Sequence, residues 1–369
     1  MTGGLVSPVF PEVVEVLNVD PRWAGTLVSM HTLTIALFSP IFGILSDRIG
    51  KRLVLVTALL IYAITGSAGA LATGFWSMLV TRALVGAASG GIAAASIGLL
   101  GTLYEGEMRS RILGYAASAL ATTSIFFPLL GGWLGSFHWT YSFLMYGMGV
   151  PVAIASLWIL SSGSSSHSQL VQLPAGEQRQ ALIDTLKSSK VLMLYGALIL
   201  ASGVFYIVIV YAPLFFKQAI AADPALNGAI LAARAIGAAI VSAVGASRLA
   251  KAIGQTGGIA VGFVLMGVML LTIPSLTQIP LILLAAVTFG TGYGLVMPTL
   301  YDALATVTSV ELRTSVLAIG TGMANLGQFT SPILLGPVWK QGGIAVFFLG
   351  GGVAIAIALL IVLRRRLEF

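Results

Sequence analysis

Long apolar stretches broken by short polar or charged segments run along nearly the whole chain, at about 1–17, 22–46, 53–72, 75–103, 111–135, 139–160, 190–216, 225–249, 256–275, 279–304, 312–336 and 341–363. Most match the roughly 20 residues a helix needs to cross a hydrocarbon core about 30 Å thick, and none alternates strictly as a barrel strand would. The pattern predicts twelve helices, because an open sheet in lipid would leave backbone groups without partners. The first stretch is too short for a full span, and neither a charged region nor a small-residue cleavage site marks it as a removable signal peptide. The longest break, about 161–189, opens with SSGSSSHS and continues into QRQALIDTLKSSK, where Leu182, Ile183 and Leu186 share one helical face. It predicts a flexible cytoplasmic linker followed by a short helix on the membrane surface. The chain then divides into an N-terminal bundle at 1–160 (spans 1–6) and a C-terminal bundle at 190–369 (spans 7–12).

An internal repeat supports that division. A shift of 204 residues superposes Gly50 on Gly254, Gly86 on Gly290, Gly90 on Gly294, Glu107 on Glu311, Arg109 on Arg313, Pro128 on Pro332 and Gly132 on Gly336. These are charged and backbone-special residues in one register, so the halves read as parallel copies of one six-helix unit. Span 7 begins near Lys190, so its counterpart is expected to begin about fifteen residues before Met1. The chain is therefore expected to start inside span 1, either because a start site lies further upstream or because half of that helix is absent.

Composition narrows the class. Of 369 residues, 57% are apolar and 8% charged, against about 25% charged in a soluble domain. That leaves an all-α polytopic membrane protein. The net charge of +7 is spread too thinly for a nucleic-acid surface and instead sorts by loop. Fourteen Lys and Arg (positions 48, 51, 52, 109, 111, 179, 187, 190, 248, 251, 313 and 364–366) fall on one predicted side, against Arg22, Lys217 and Lys340 on the other. The first side is thus expected to be cytoplasmic, with the C-terminus there and Arg364–Arg366 as a topology anchor. The chain has no Cys, and its three His show no metal-binding spacing. No G-x-S-x-G segment or phosphate loop is present, so neither an enzyme nor a cofactor is expected.

The strongest local signal is GILSDRIGKR, Gly43 to Arg52, in the turn between spans 2 and 3. Gly43 would let neighbouring helices approach closely, and Asp47 would sit at a helix N-terminus or pair with Arg. Gly50 would permit a tight turn, with Lys51 and Arg52 holding the loop on the cytoplasmic side. The segment resembles the major facilitator superfamily, whose first-half signature is a G-x-L-x-D-R-x-G-R/K-R/K run in that same loop. The resemblance implies two six-helix bundles around a central cavity. It also implies that Asp47, with Arg48, helps hold the cytoplasmic side closed in one conformation. In the second half the same loop reads SRLAKAIGQ, with Lys251 replacing the acid.

Two more stretches carry the resemblance. LVTRALVGAASGG in span 4 is similar to the family's L-x-x-x-R-x-x-x-G pattern through Leu79, Arg82, Gly86 and Gly90. In related antiporters the matching Arg is associated with proton coupling, and a guanidinium inside a span is costly unless it faces a cavity or partner. An Arg reaching to the outer interface is the alternative for Arg82. Gly86 and Gly90 read as helix-packing residues. GYAASALATTSIFFPLLGG in span 5 matches the antiporter signature at Gly114, Pro128, Gly131 and Gly132, while Thr123 and Phe127 replace two glycines. Pro128 is expected to kink that helix. The twelve-span drug:proton antiporter branch is the most similar.

His31 and Arg234 occupy nearly equivalent repeat positions, 203 apart after a one-residue gap. Both are candidate transport or coupling residues: His31 titrates near neutrality, and Arg234 attracts an anionic group. A satisfied structural histidine is the alternative for His31. The Glu107/Arg109 and Glu311/Arg313 pairs are candidate cytoplasmic latches, with a solvated face as the alternative. Tyr293, Met297, Asn325 and Gln328 are candidate cavity residues, and Asp302 reads as a helix-end or Arg-paired acid. No deep carboxylate stands out as a proton carrier. The expectation is a monomeric, multi-pass transporter of the cell membrane, surrounded by lipid, that exports a small organic compound by alternating access in exchange for protons. A uniporter or symporter for an organic anion, and a transport-inactive truncated product, are the alternatives.

Overall fold

The computed structural model describes residues 2–104, 106–160, 175–309 and 312–367. The Ser-rich tract at 161–168 and Glu311 lie outside the described residues. The described residues form fifteen α-helices: α1 (Thr2–Val6), α2 (Phe10–Val16), α3 (Pro21–Ile49), α4 (Lys51–Ala68), α5 (Phe75–Leu103), α6 (Gly106–Phe137), α7 (Trp139–Leu144), α8 (Gly149–Ile159), α9 (Ala175–Lys187), α10 (Ser189–Ile220), α11 (Pro224–Ile240), α12 (Ala246–Thr272), α13 (Ile279–Thr306), α14 (Arg313–Gly342) and α15 (Ala345–Leu367). Among the described residues, ten helical stretches are long and apolar enough to cross a membrane. Apolar side chains such as Phe126 and Trp133 on α6 and Leu359 and Leu360 on α15 stay exposed, as helices solvated by lipid require.

Three of the twelve predicted spans differ from that expectation. The first stretch is not one helix: α1 and α2 are joined by a 3₁₀ turn at Ser7–Val9. Pro8 within that turn and Pro11 at the start of α2 each lack the N–H a continuous helix would use. The eleventh, α14, is long enough at 30 residues but is not among the ten. Asn325, Gln328 and its Ser, Thr and Gly residues dilute its apolar character. The sixth is broken within its span, with a 3₁₀ turn at Met145–Met148 between α7 and α8.

The chain clusters into two units, Met1–Leu170 with Asp223–Gly228, and Val171–Ala222 with Ala229–Phe369. In the first, α3 packs on α5, and α4 packs on α5 and α8. In the second, α12 packs on α13 and α15, and α10 packs on α14. The helix expected after the Ser-rich tract is α9, which packs on α10. Its Leu182, Ile183 and Leu186 are half-buried, and Asp184 and Lys187 are exposed.

The repeat is visible in backbone geometry. Gly50 ends α3 at φ +100°, and Gly254 interrupts α12 at φ +79°. Pro21 and Pro224 start the matching helices, yet they lie 203 apart rather than 204. The second unit's extra residue between Pro224 and Gly254 is accommodated at Val241–Gly245, a π-helical segment. One wide turn absorbs one extra residue while the flanking α-helical turns keep their facing. Ser242 in that segment donates to the Gly294 carbonyl at 3.1 Å.

Within each unit the same glycines bring the same helices together. A Cβ on Gly86 would collide with the His31 carbonyl, and one on Gly290 with the Arg234 carbonyl. One turn along, Gly90 faces the Ile35 carbonyl and Gly294 the Ala238 carbonyl. Each α5–α3 or α13–α11 contact is thus backbone against backbone, a seam only glycine permits.

Two predicted packing roles do not appear. Gly43 and Gly114 have no atom within 4 Å of where a Cβ would stand, so neither marks a close helix approach. α6 runs unbroken as helix through Gly114 and the buried Pro128. Gly114→Ala is accordingly expected to raise stability by about 0.5–1 kcal/mol through helix propensity alone. A thermal melt of the purified variant that falls below the parent would show that α6 needs flexibility there.

Candidate functional site: two buried cations

Arg82, on α5, is 3% exposed. Its guanidinium carbon lies 4.9 Å from the Phe143 ring centroid and 5.1 Å from that of Tyr146, and Nη1 donates to the Tyr146 hydroxyl at 3.0 Å. Nε and Nη2 are buried without a hydrogen-bond partner. Cation–π contact with two rings offsets part of the desolvation cost, at about 0.5–2 kcal/mol each. The local sequence makes room for this cage. A Cβ on Gly66 would overlap the Tyr146 ring, and one on Gly69 would overlap Phe143 and stand 3.0 Å from Arg82 Nη2.

His31 is 6% exposed on α3, where its ring hydrogen-bonds to the Val28 carbonyl. Its backbone is the surface on which Gly86 sits, one helical turn from Arg82. His31 and Arg82 are therefore one cluster, as adjacent groups on packed helices.

The second unit places its cation differently. The repeat position of Arg82 is Ala286, which with Val208, Ile230, Met269, Ile273 and Phe289 lines a small apolar cavity. Tyr146 corresponds to Gly350 and Gly66 to Leu270, so the bulk is exchanged across the seam. The second cation, Arg234 on α11, instead matches His31. It is 7% exposed, with its guanidinium carbon 4.5 Å from the Phe205 ring centroid and Nε buried without a partner. Phe205 stacks on Tyr293 at 4.1 Å between centroids and 23° between planes. The Ser202 Oγ lies 4.0 Å from Met297 Sδ. The structure thus brings together Arg234, Tyr293 and Met297. Asn325 and Gln328 lie half-buried on α14 and make no hydrogen bond among the described residues.

The Gly43–Arg52 turn is less engaged than expected. Asp47 lies in the last turn of α3 rather than at a helix N-terminus, and its partner is a lysine: Lys51 Nζ stands 3.7 Å from Oδ1. With the carboxylate side chain 72% exposed, the pair is weak. Arg48 is exposed, and Arg52 donates to the Leu157 carbonyl of α8. The stem of Lys51 lies over Gly98. At the matching place in the second unit, Gln255 donates to Asp302 at 2.6 Å, so that acid is paired with an amide and not with Arg. Glu107 and Arg109 are exposed and form no ion pair among the described residues, since side chains two apart on a helix point away from each other. Arg313 donates to the Ala305 carbonyl at 3.0 Å. Gly131 and Gly132 are buried, Gly131 against the Leu5 carbonyl.

Phe143, Tyr146, Phe205 and Ser202 are the site residues that sequence reasoning missed. A signal for one of them, Tyr146, lay in the repeat: Gly66 faces Leu270 and Tyr146 faces Gly350 in the alignment of the halves, an exchange of size that marks a rebuilt contact.

The sequence profile of the Major Facilitator Superfamily matches residues 1–300 and, in a second match, 194–368. Among curated proteins the chain is similar to the multidrug transporter protein MdtP of Bacillus subtilis (strain 168). The two are 25% identical over 170 residues, covering 46% of this chain and 31% of MdtP. It is 24% identical over 164 residues to the quinolone resistance protein NorA of Staphylococcus aureus, covering 44% of this chain and 42% of NorA. The matched region thus spans less than half the length of either relative. Among solved structures, a POT family transporter in complex with a thioalcohol-conjugated peptide superposes with a TM-score of 0.77 at 13% identity, over 98% of this chain and 93% of that one. The nucleoside transporter NupG superposes with a TM-score of 0.77 at 14% identity, over 98% and 95%. At such identities the likeness concerns the fold alone, but the profile match covers most of the chain: it belongs to the Major Facilitator Superfamily.

Proposed function

We propose that the chain is a secondary active transporter that exports a small organic compound by alternating access in exchange for protons. The observation that carries this reading is Arg82: a guanidinium 3% exposed inside a membrane-length helix, with two of its nitrogens unpartnered. Burying such a group is costly to a fold, whereas a transport cycle uses one to bias a neighbouring proton site or a passing charge. His31, one turn from it across the α3–α5 seam, is the adjacent titratable group and the coupling residue in this reading. The names of MdtP and NorA, a multidrug transporter and a quinolone resistance protein, support export over uptake.

In the same reading the Gly43–Arg52 turn is the cytoplasmic gate, with Asp47, Arg48, Lys51 and Arg52 as its charged members and Glu107, Arg109, Glu311 and Arg313 as latches. The protein works as a monomer in the cell membrane with its C-terminus cytoplasmic. A second reading, uniport or symport of an organic anion, is favoured by one observation: among the described residues, both buried cations lack a carboxylate partner.

Everted membrane vesicles loaded with a pH-sensitive dye separate the two. Substrate-dependent alkalinisation of the lumen, lost in vesicles without the protein, is the result expected for proton-coupled export. Exchange of a labelled anion with no pH response would replace it with the second reading.

A further inference from the structure

We propose that Arg234, Phe205 and Tyr293 form a subsite in the second unit that takes the carboxylate and the flat apolar body of an aromatic organic anion. This deepens the transporter reading by naming the class of compound carried, and rests on it.

The two units supply an internal control. Both use a glycine on one helix against a backbone carbonyl on the other, Gly86 on His31 and Gly290 on Arg234. The first unit makes that seam with a histidine, so the packing does not require a guanidinium. Nor does the first unit carry the rest of the group: the position matching Tyr293 is Ser89. Arg234 and its aromatic partners are therefore additions to the fold, not conditions of it.

The chemistry of the addition is specific. Three helices converge on it, with Phe205 from α10, Arg234 from α11 and Tyr293 from α13. Phe205 lies against the guanidinium carbon at 4.5 Å and is itself stacked on Tyr293. A ring face partly compensates a cation but satisfies none of its N–H groups. Arg234 forms no ion pair or hydrogen bond among the described residues, and its buried Nε is left without an acceptor. The planar fork of a guanidinium matches a carboxylate, which accepts two parallel N–H bonds. Phe205, Tyr293 and Met297 are each half-buried, leaving apolar and aromatic surface beside the fork for the body of the ligand. The stack on Phe205 holds the Tyr293 ring in place. A cationic ligand would find no carboxylate here.

Equilibrium dialysis of the purified full chain in phosphatidylcholine nanodiscs tests this with three labelled probes: 2-naphthoate, its neutral amide 2-naphthamide, and hexanoate. The parent protein is expected to bind 2-naphthoate at least tenfold more tightly than either other probe. Arg234→Gln should bring 2-naphthoate down to the level of 2-naphthamide, and Tyr293→Leu should bring it down to the level of hexanoate. Should Arg234→Gln fail to fold, Arg234→His is the second variant, since the first unit already carries histidine at that place. It should lose the preference for naphthoate over naphthamide at pH 8. Equal binding of naphthoate and naphthamide by the parent, an unchanged preference in the folded Arg234 variant, or no binding of any probe would each overturn the proposal. Dialysis reads neither direction nor proton exchange, so failure of the export reading in vesicles is separable from failure here.

Discussion

Arg82→Ala is expected to insert into the membrane normally and to lower transport at least tenfold, about 1.4 kcal/mol in the rate-limiting barrier. Normal insertion follows from the repeat. Alanine already stands at the matching position, Ala286, in a unit with the same helix order and the same glycine seams. Removal of the side chain takes away a buried cation with one hydrogen bond and two unpartnered nitrogens, so the fold loses cation–π contact but sheds a desolvation penalty. Transport has no such compensation if the guanidinium acts on His31 or on the cargo. Tyr146→Phe is the companion variant. It deletes the 3.0 Å hydrogen bond while keeping both rings, and a smaller loss is expected. Initial rates in vesicles, normalised to inserted protein by quantitative blotting, read both. Parent-like rates from fully inserted Arg82→Ala would remove Arg82 from the mechanism and take the basis of the proposed function with it.

Gly290→Leu is expected to lower the melting temperature by about 5–10 °C, the upper range for forcing atoms into a closed seam. The obstacle is the Arg234 carbonyl, part of the α11 backbone, which cannot turn aside as a side-chain tip could. Relief requires α11 and α13 to separate, and that movement would also disturb Gly294 against Ala238 one turn away. Gly352→Leu on α15 is the control, because nothing lies within 4 Å of its Cβ position; its melt should stay within about 2 °C of the parent. Equal losses at the two positions would mean that glycine acts there through helix flexibility and not through close approach.

Much of the architecture was legible in the residues. Apolar run length marked most of the helices, since the spacing of breaks in a membrane protein is dictated by bilayer thickness. Gly50 and Gly254 were legible through the repeat, and both take positive φ. Gly86 and Gly90 were legible from their spacing alone. Gly43 and Gly114 show the limit of such reasoning: small-residue spacing states what a helix permits, while the neighbour decides whether the permission is used. The break in the first stretch was encoded in Pro8 and Pro11 but hidden by the apolar average. For the site, Arg82, His31 and Arg234 stood out as polar groups in apolar surroundings. Their aromatic partners did not, because Phe and Tyr are common in membrane helices and no property of Phe205 in isolation tells that it lies against a guanidinium.

The wide turn at Val241–Gly245 has a further meaning. One residue added to an ordinary helix would rotate everything beyond it by 100° about the axis and carry Gly254 away from its corner. The turn swallowed the added residue locally, leaving both ends of the helix aimed as their counterparts in the first unit are aimed. It therefore marks the place between Pro224 and Gly254 where the second half differs in length from the first. Removing one residue from this segment should return an ordinary helix, making the two halves equal in length between Pro224 and Gly254 and between Pro21 and Gly50.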